Sequence, residues 1–70
     1  MKASEVKVGM KIKTWFGNLQ VQSIKNEYKK NGDLLGFYFD GLAYHSKEHH
    51  YYLKNWGVRF RKNSKVEELV

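Results

Sequence analysis

Residues Val6 to Ile24 read V-K-V-G-M-K-I-K-T-W-F-G-N-L-Q-V-Q-S-I, and their alternation decides the fold class. Strand side chains point to opposite faces with period 2. Met10, Ile12 and Thr14 therefore share one side of a strand running from Met10 to Phe16, and Lys11, Lys13 and Trp15 share the other. Gly17-Asn18 fits a two-residue hairpin turn in which Gly supplies the positive φ. A second strand, Leu19 to Tyr28, returns Leu19 and Val21 to the apolar side and Gln20 and Gln22 to the basic side. The alternation breaks at Ser23-Ile24. A β-bulge there restores the phase and bends the strand as a small barrel requires.

Outward from this stretch, turn signals divide the chain. Upstream, Met1 to Lys7 reads as a lead-in, with Gly9 at the bend into the first strand. Downstream, Lys29-Lys30-Asn31-Gly32-Asp33 is the strongest turn, with Asn-Gly at its centre. A third strand, Leu34 to Asp40, sets Leu35, Phe37 and Phe39 on one face and Gly36 and Tyr38 on the other. Asp40-Gly41 reads as another tight turn before a short strand, Leu42 to His45, and His45 to His50 as a polar loop. Tyr51 to Lys54 and Gly57 to Arg61 then form one bent strand or two short ones, hinged at Asn55-Trp56-Gly57. Ser64-Lys65-Val66-Glu67 has capping-box spacing and predicts a terminal single-turn helix. Short strands, turns at intervals of roughly eight to twelve residues and no longer helix predict an all-β fold. The expectation is one domain over residues 1–70, a small five-stranded barrel with Ile12, Val21, Phe37, Phe39, Val58 and Phe60 in its core.

The V-K-V-G-M-K-I-K-T lead-in and the G-N-L-Q-V-Q-S-I strand resemble the start of the SH3-like small barrels, especially the KOW-type branch. There a V-G-x-x-V lead-in precedes a short loop and a G-x-x-x-V-x-x-I strand. The likeness covers residues 6–24. It implies a partner among RNA, DNA, ribosomal or transcription proteins, or peptides. Plasmid-encoded dihydrofolate reductases use the same barrel, but their Val-Gln-Ile-Tyr strand has no counterpart in this sequence.

Composition narrows the chemistry. Thirteen Lys and Arg against seven Asp and Glu give a net charge of +6 on 70 residues. Such an excess attracts polyanions over about 8 Å at physiological salt. Cysteine is absent, which excludes disulfides and thiolate zinc sites. No apolar run reaches the length of a secretory h-region or a membrane span, so the expectation is a soluble, cytoplasmic protein with no membrane contact. Aromatic residues make up 16% of the chain, more than so small a core can bury, so some rings are expected at the surface.

Two candidate surfaces follow. Lys11, Lys13 and Trp15, with Gln22 beside them, face outward with Arg59 and Arg61, which alternate with Val58 and Phe60; Lys62 follows. Because small barrels bring first and last strands together, these residues are expected to merge into one nucleic-acid-binding surface. Lys and Arg would pair with phosphates, and Trp15 would offer a stacking platform. The alternative is a protein-interaction module, of the kind a phage or mobile element encodes, docking through Tyr38, Tyr44, Tyr51, Tyr52 and Trp56. His45 and His49 have i,i+4 spacing, which converges on a metal only in a helix that this short loop has no room to form. A pH-sensitive rim suits the three histidines better. No Ser-His-acid arrangement supports catalysis. The expectation is a non-catalytic binding module without metal or cofactor, its partner DNA or RNA in the first reading.

Overall fold

The computed structural model describes residues 1–44 and 52–69, the side chains of 52–54 aside. Among these residues four strands follow in chain order: β1 (Lys11–Thr14), β2 (Gly17–Tyr28), β3 (Leu34–Tyr44) and β4 (Tyr52–Arg61). Each pairs antiparallel with its sequence neighbour, giving the spatial order β1-β2-β3-β4 in a sheet that curls into a half-barrel. The fold is all-β, with four described strands where five were expected.

The first hairpin forms from the expected stretch, with its turn displaced. Thr14 pairs with Gly17, so the two-residue loop is Trp15-Phe16 rather than Gly17-Asn18. Thr14 Oγ1 holds this loop, donating to the Gly17 carbonyl at 2.8 Å and accepting from the Phe16 amide at 3.3 Å. Gly17, at φ 125°, provides the left-handed geometry one step later than a central turn position. The displacement moves pairing by an even number of residues, which keeps every side chain on its face. Ile12 pairs with Leu19, and both are fully buried.

The break in β2's alternation corresponds to a real irregularity. Register passes from Val21↔Gly41 to Ser23↔Asp40 and skips Gln22, returning Ile24 to the core side opposite Phe39. This bulge explains why Asp40-Gly41 is not a turn. β3 continues through both residues, and a Cβ on Gly41 would overlap the carbonyl oxygen of Gln20. Glycine here permits close backbone approach. The Asn31-Gly32 turn does form, with Gly32 at φ 94°, Lys29 N–H donating to Asp33 at 2.7 Å and Asp33 N–H donating to Asn31 Oδ1 at 3.1 Å. Asn55 to Gly57 is not a hinge, since β4 runs unbroken from Tyr52 to Arg61.

Ile12, Leu19, Val21 and Phe39 are the largest fully buried side chains, joined by Val58, Val66, Val6 and Ala3. Phe37 and Phe60 are partly buried against this cluster. Phe39 packs beside this cross-strand pair, its ring centroid 6.0 Å from Phe37 and 5.8 Å from Phe60. The terminal helix is absent. Residues 65–69 instead run extended, with bridges Lys65↔Lys2 and Ile12↔Glu68. Lys13 N–H donates to Glu67 at 2.9 Å and Leu69 N–H donates to Lys11 at 2.7 Å. One helical turn would leave both its own backbone groups and those on the edge of β1 without protein partners, whereas extended pairing satisfies both sets and buries Val66. Among the described residues the helical turn is at the other terminus, a 3₁₀ turn over Ala3–Glu5, where Glu5 Oε1 accepts from Lys2 N–H at 2.7 Å.

Candidate nucleic-acid interface

Sheet register assigns each polar side chain to a face. With Ile12, Leu19, Val21 and Phe39 inside, the outer face comprises four rows across the strands. They are Lys13-Asn18-Tyr44, Lys11-Gln20-Leu42-Asn55, Lys25-Tyr38-Arg59 and Glu27-Gly36-Arg61. Between the second and third, Ser23, Asp40 and Gly57 form a short row beside the bulge. Lys11, Lys13, Arg59 and Arg61 thus lie on the outer face, as their alternation implied, and all four are exposed. Lys25 joins them. The bulge that returns Ile24 to the core side sends Lys25 outward, a consequence of the expected bulge that the sequence reading did not carry on to this residue.

The expected merging of first and last strands does not occur. β1 and β4 are opposite edges of the sheet, and the partner of β1 across its free edge is the 67–69 segment. Lys11 and Arg59 stand three strand spacings and four residues apart, about 20 Å along the sheet. That separation exceeds two Debye lengths of about 8 Å, so the two groups act as separate charges along a diagonal track. Gln22 is the bulged residue and is exposed beside that track. Lys62 follows β4, its amide donating to the Leu35 carbonyl at 3.2 Å.

Arg59 is the most constrained cation. Its Nε donates to both carboxylate oxygens of Glu27, at 3.1 and 3.0 Å, and its guanidinium carbon lies 5.1 Å from the Tyr38 ring centroid. Tyr38 in turn lies across Gly57, where any Cβ would overlap the phenol end. Glycine at 57 therefore makes room for the ring on which Arg59 rests. The Arg59–Glu27 pair has no net charge, leaving Arg61 as the stronger anion contact on β4. Lys29 and Lys30, at the adjoining end of the β2–β3 hairpin, are exposed and extend the basic track. Comparison of the chain with protein-family models, curated proteins and solved structures returns no match in any of the three.

Trp15 is not on the outer face. It caps the first turn, 79% exposed, at the same end of the sheet as Trp56. Phe16 links them, edge-on to Trp15 at 5.3 Å and to Trp56 at 5.9 Å. Trp56 belongs to the Val21-Gly41 row on the inner side. The alternative surface is therefore dispersed: Tyr38 and Tyr44 sit on the outer face and Trp56 at the mouth of the half-barrel. Tyr52 pairs with Tyr44 in register, while Tyr51 and the three histidines lie outside the described residues.

Proposed function

We propose that the protein is a non-catalytic module that binds nucleic acid across the outer face of its sheet. The observation that carries this reading is the facial segregation of charge. Among the described residues, Lys11, Lys13, Lys25, Arg59 and Arg61 share the outer face with only Asp40 and Glu27 as acids, and Glu27 is already held by Arg59. A diagonal of separated cations suits successive phosphates of a polyanion better than a compact anionic ligand. The curled sheet is compatible with an SH3-like barrel, and placement in the KOW-type branch belongs to this proposal, as does a cytoplasmic location. No helix among the described residues is long and apolar enough to cross a membrane.

Gel-shift titrations with duplex DNA, single-stranded DNA and RNA at two salt concentrations test the reading. Lys11→Ala, Lys13→Ala, Lys25→Ala and Arg61→Ala should each weaken binding similarly for every sequence and lower the salt slope by about one. Absence of binding at low salt, or unchanged slopes, would sink it. The second reading, a protein-interaction module, is favoured by one specific observation, the linked Trp15-Phe16-Trp56 rings. Docking there would change little with salt and would be lost in Trp15→Ala.

A further inference from the structure

We propose that the outer edge of β4 takes up an acidic peptide in extended conformation as an additional strand. The two edges of the sheet are treated differently by the fold. Residues 67–69 cover the edge of β1, whereas β4 has no neighbour beyond β3 among the described residues. The direction of its backbone groups follows from one hydrogen bond. Lys62 N–H donates to Leu35, so Lys62↔Leu35 is a hydrogen-bonded pair, and such pairs alternate along an antiparallel ladder. Register is unbroken from Arg61↔Gly36 to Lys54↔Ala43. Phe60, Val58 and Trp56 therefore direct their backbone groups toward β3, while Asn55, Gly57, Arg59 and Arg61 direct theirs outward. Together these present alternating donors and acceptors at the repeat of a strand.

Side chains beside this edge specify the partner. A shallow recess of about 220 Å³ is lined by Leu35 and Phe60 as well as by Glu27, Arg59 and Arg61. It offers an aliphatic side chain an apolar floor and a carboxylate a guanidinium rim. Arg61 and Lys62 add positive charge that no ion pair among the described residues offsets, since the salt bridge there joins Arg59 to Glu27. Charge also argues against a second copy of this chain. Two-fold antiparallel pairing about Val58 would set the two Arg59 side chains, each already held by its own Glu27, on neighbouring diagonal positions, and would place each Arg61 opposite the other copy's Asn55, with no carboxylate to meet it. Self-pairing therefore leaves the Arg61 charge uncompensated, whereas an acidic strand supplies its complement.

The probe is an end-blocked peptide of alternating glutamate and valine, titrated against the full chain and followed by amide hydrogen exchange. Bound peptide should slow exchange at Asn55, Gly57, Arg59 and Arg61 by tenfold or more and leave Val58 and Phe60 unchanged. Peptide N-methylated at alternate residues should not bind, because it cannot complete the ladder. Arg61→Glu should weaken binding at least tenfold, while Lys11→Glu, remote from the edge, should not. Equal binding of the N-methylated peptide, or an equal loss with Lys11→Glu, would reduce the effect to nonspecific charge and overturn the proposal. Protection of the same four amides in a peptide-free dimer, seen by sedimentation, would overturn it in favour of a second copy.

Discussion

Gly57 links three residues through one missing atom. A side chain there would strike the far end of Tyr38, a ring able to swing away, whereas at Gly41 it would strike the backbone of Gln20. Gly57→Ala should therefore cost roughly 1–3 kcal/mol and Gly41→Ala more, since overpacking against a fixed backbone has no side-chain escape. Thermal melts check the order, and equal losses would mean that Tyr38 is as immovable as the bulge. Gly57→Ala should also abolish the ring-current shifts of the Arg59 side chain in proton NMR. Phe39 is the corresponding residue in the core. Phe39 is fully buried and packed on Phe37 and Phe60, and its truncation to Ala should cost about 3–5 kcal/mol, enough to unfold a domain this small. A melt within a few degrees of the parent would contradict the strand phase.

At the scale of elements, much was legible because period-2 alternation survives errors of register. Ile12, Leu19 and Val21 are inside whether the turn is at Trp15-Phe16 or at Gly17-Asn18. What failed were readings in which one local signal has two physical uses. Asp-Gly marks a turn when glycine supplies positive φ, yet Gly41 provides close backbone approach beside a bulge. The Ser64-x-x-Glu67 pattern favours a cap, but a single turn of helix contributes less than the hydrogen bonds and the Val66 burial available along β1. That cover is testable. Val66→Ala removes two buried methyl groups and should cost about 2 kcal/mol. It should also speed hydrogen exchange at Lys13, whose amide donates to Glu67. Unchanged exchange would mean that the 65–69 segment does not close the edge. The candidate site was legible only in part for a related reason. Facing could be counted from alternation, but adjacency of β1 and β4 depended on a closed five-stranded ring.

Across the whole molecule, the 44 Å long axis separates an aromatic end, with Trp15, Phe16 and Trp56, from a basic end, with Lys25, Lys29, Lys30, Arg61 and Lys62. The Trp15-Phe16-Trp56 rings and the Arg61 end therefore do not form one compact site; on the outer face the rings beside the cations are Tyr38 and Tyr44, and Lys11 and Lys13 lie toward the aromatic end. Glu27 then becomes inhibitory. Glu27→Gln should tighten nucleic-acid binding and raise the salt slope by up to one, because no carboxylate then offsets the Arg59 charge; weaker binding would mean that Glu27 is needed to position Arg59. The most direct test of the outer face is an amide chemical-shift map of the chain titrated with a short single-stranded oligonucleotide at low salt. Perturbations should cluster at Lys11, Lys13, Lys25, Arg59 and Arg61 and vanish as salt is raised. Shifts confined to Trp15, Phe16 and Trp56, or no shifts at all, would contradict binding across the outer face.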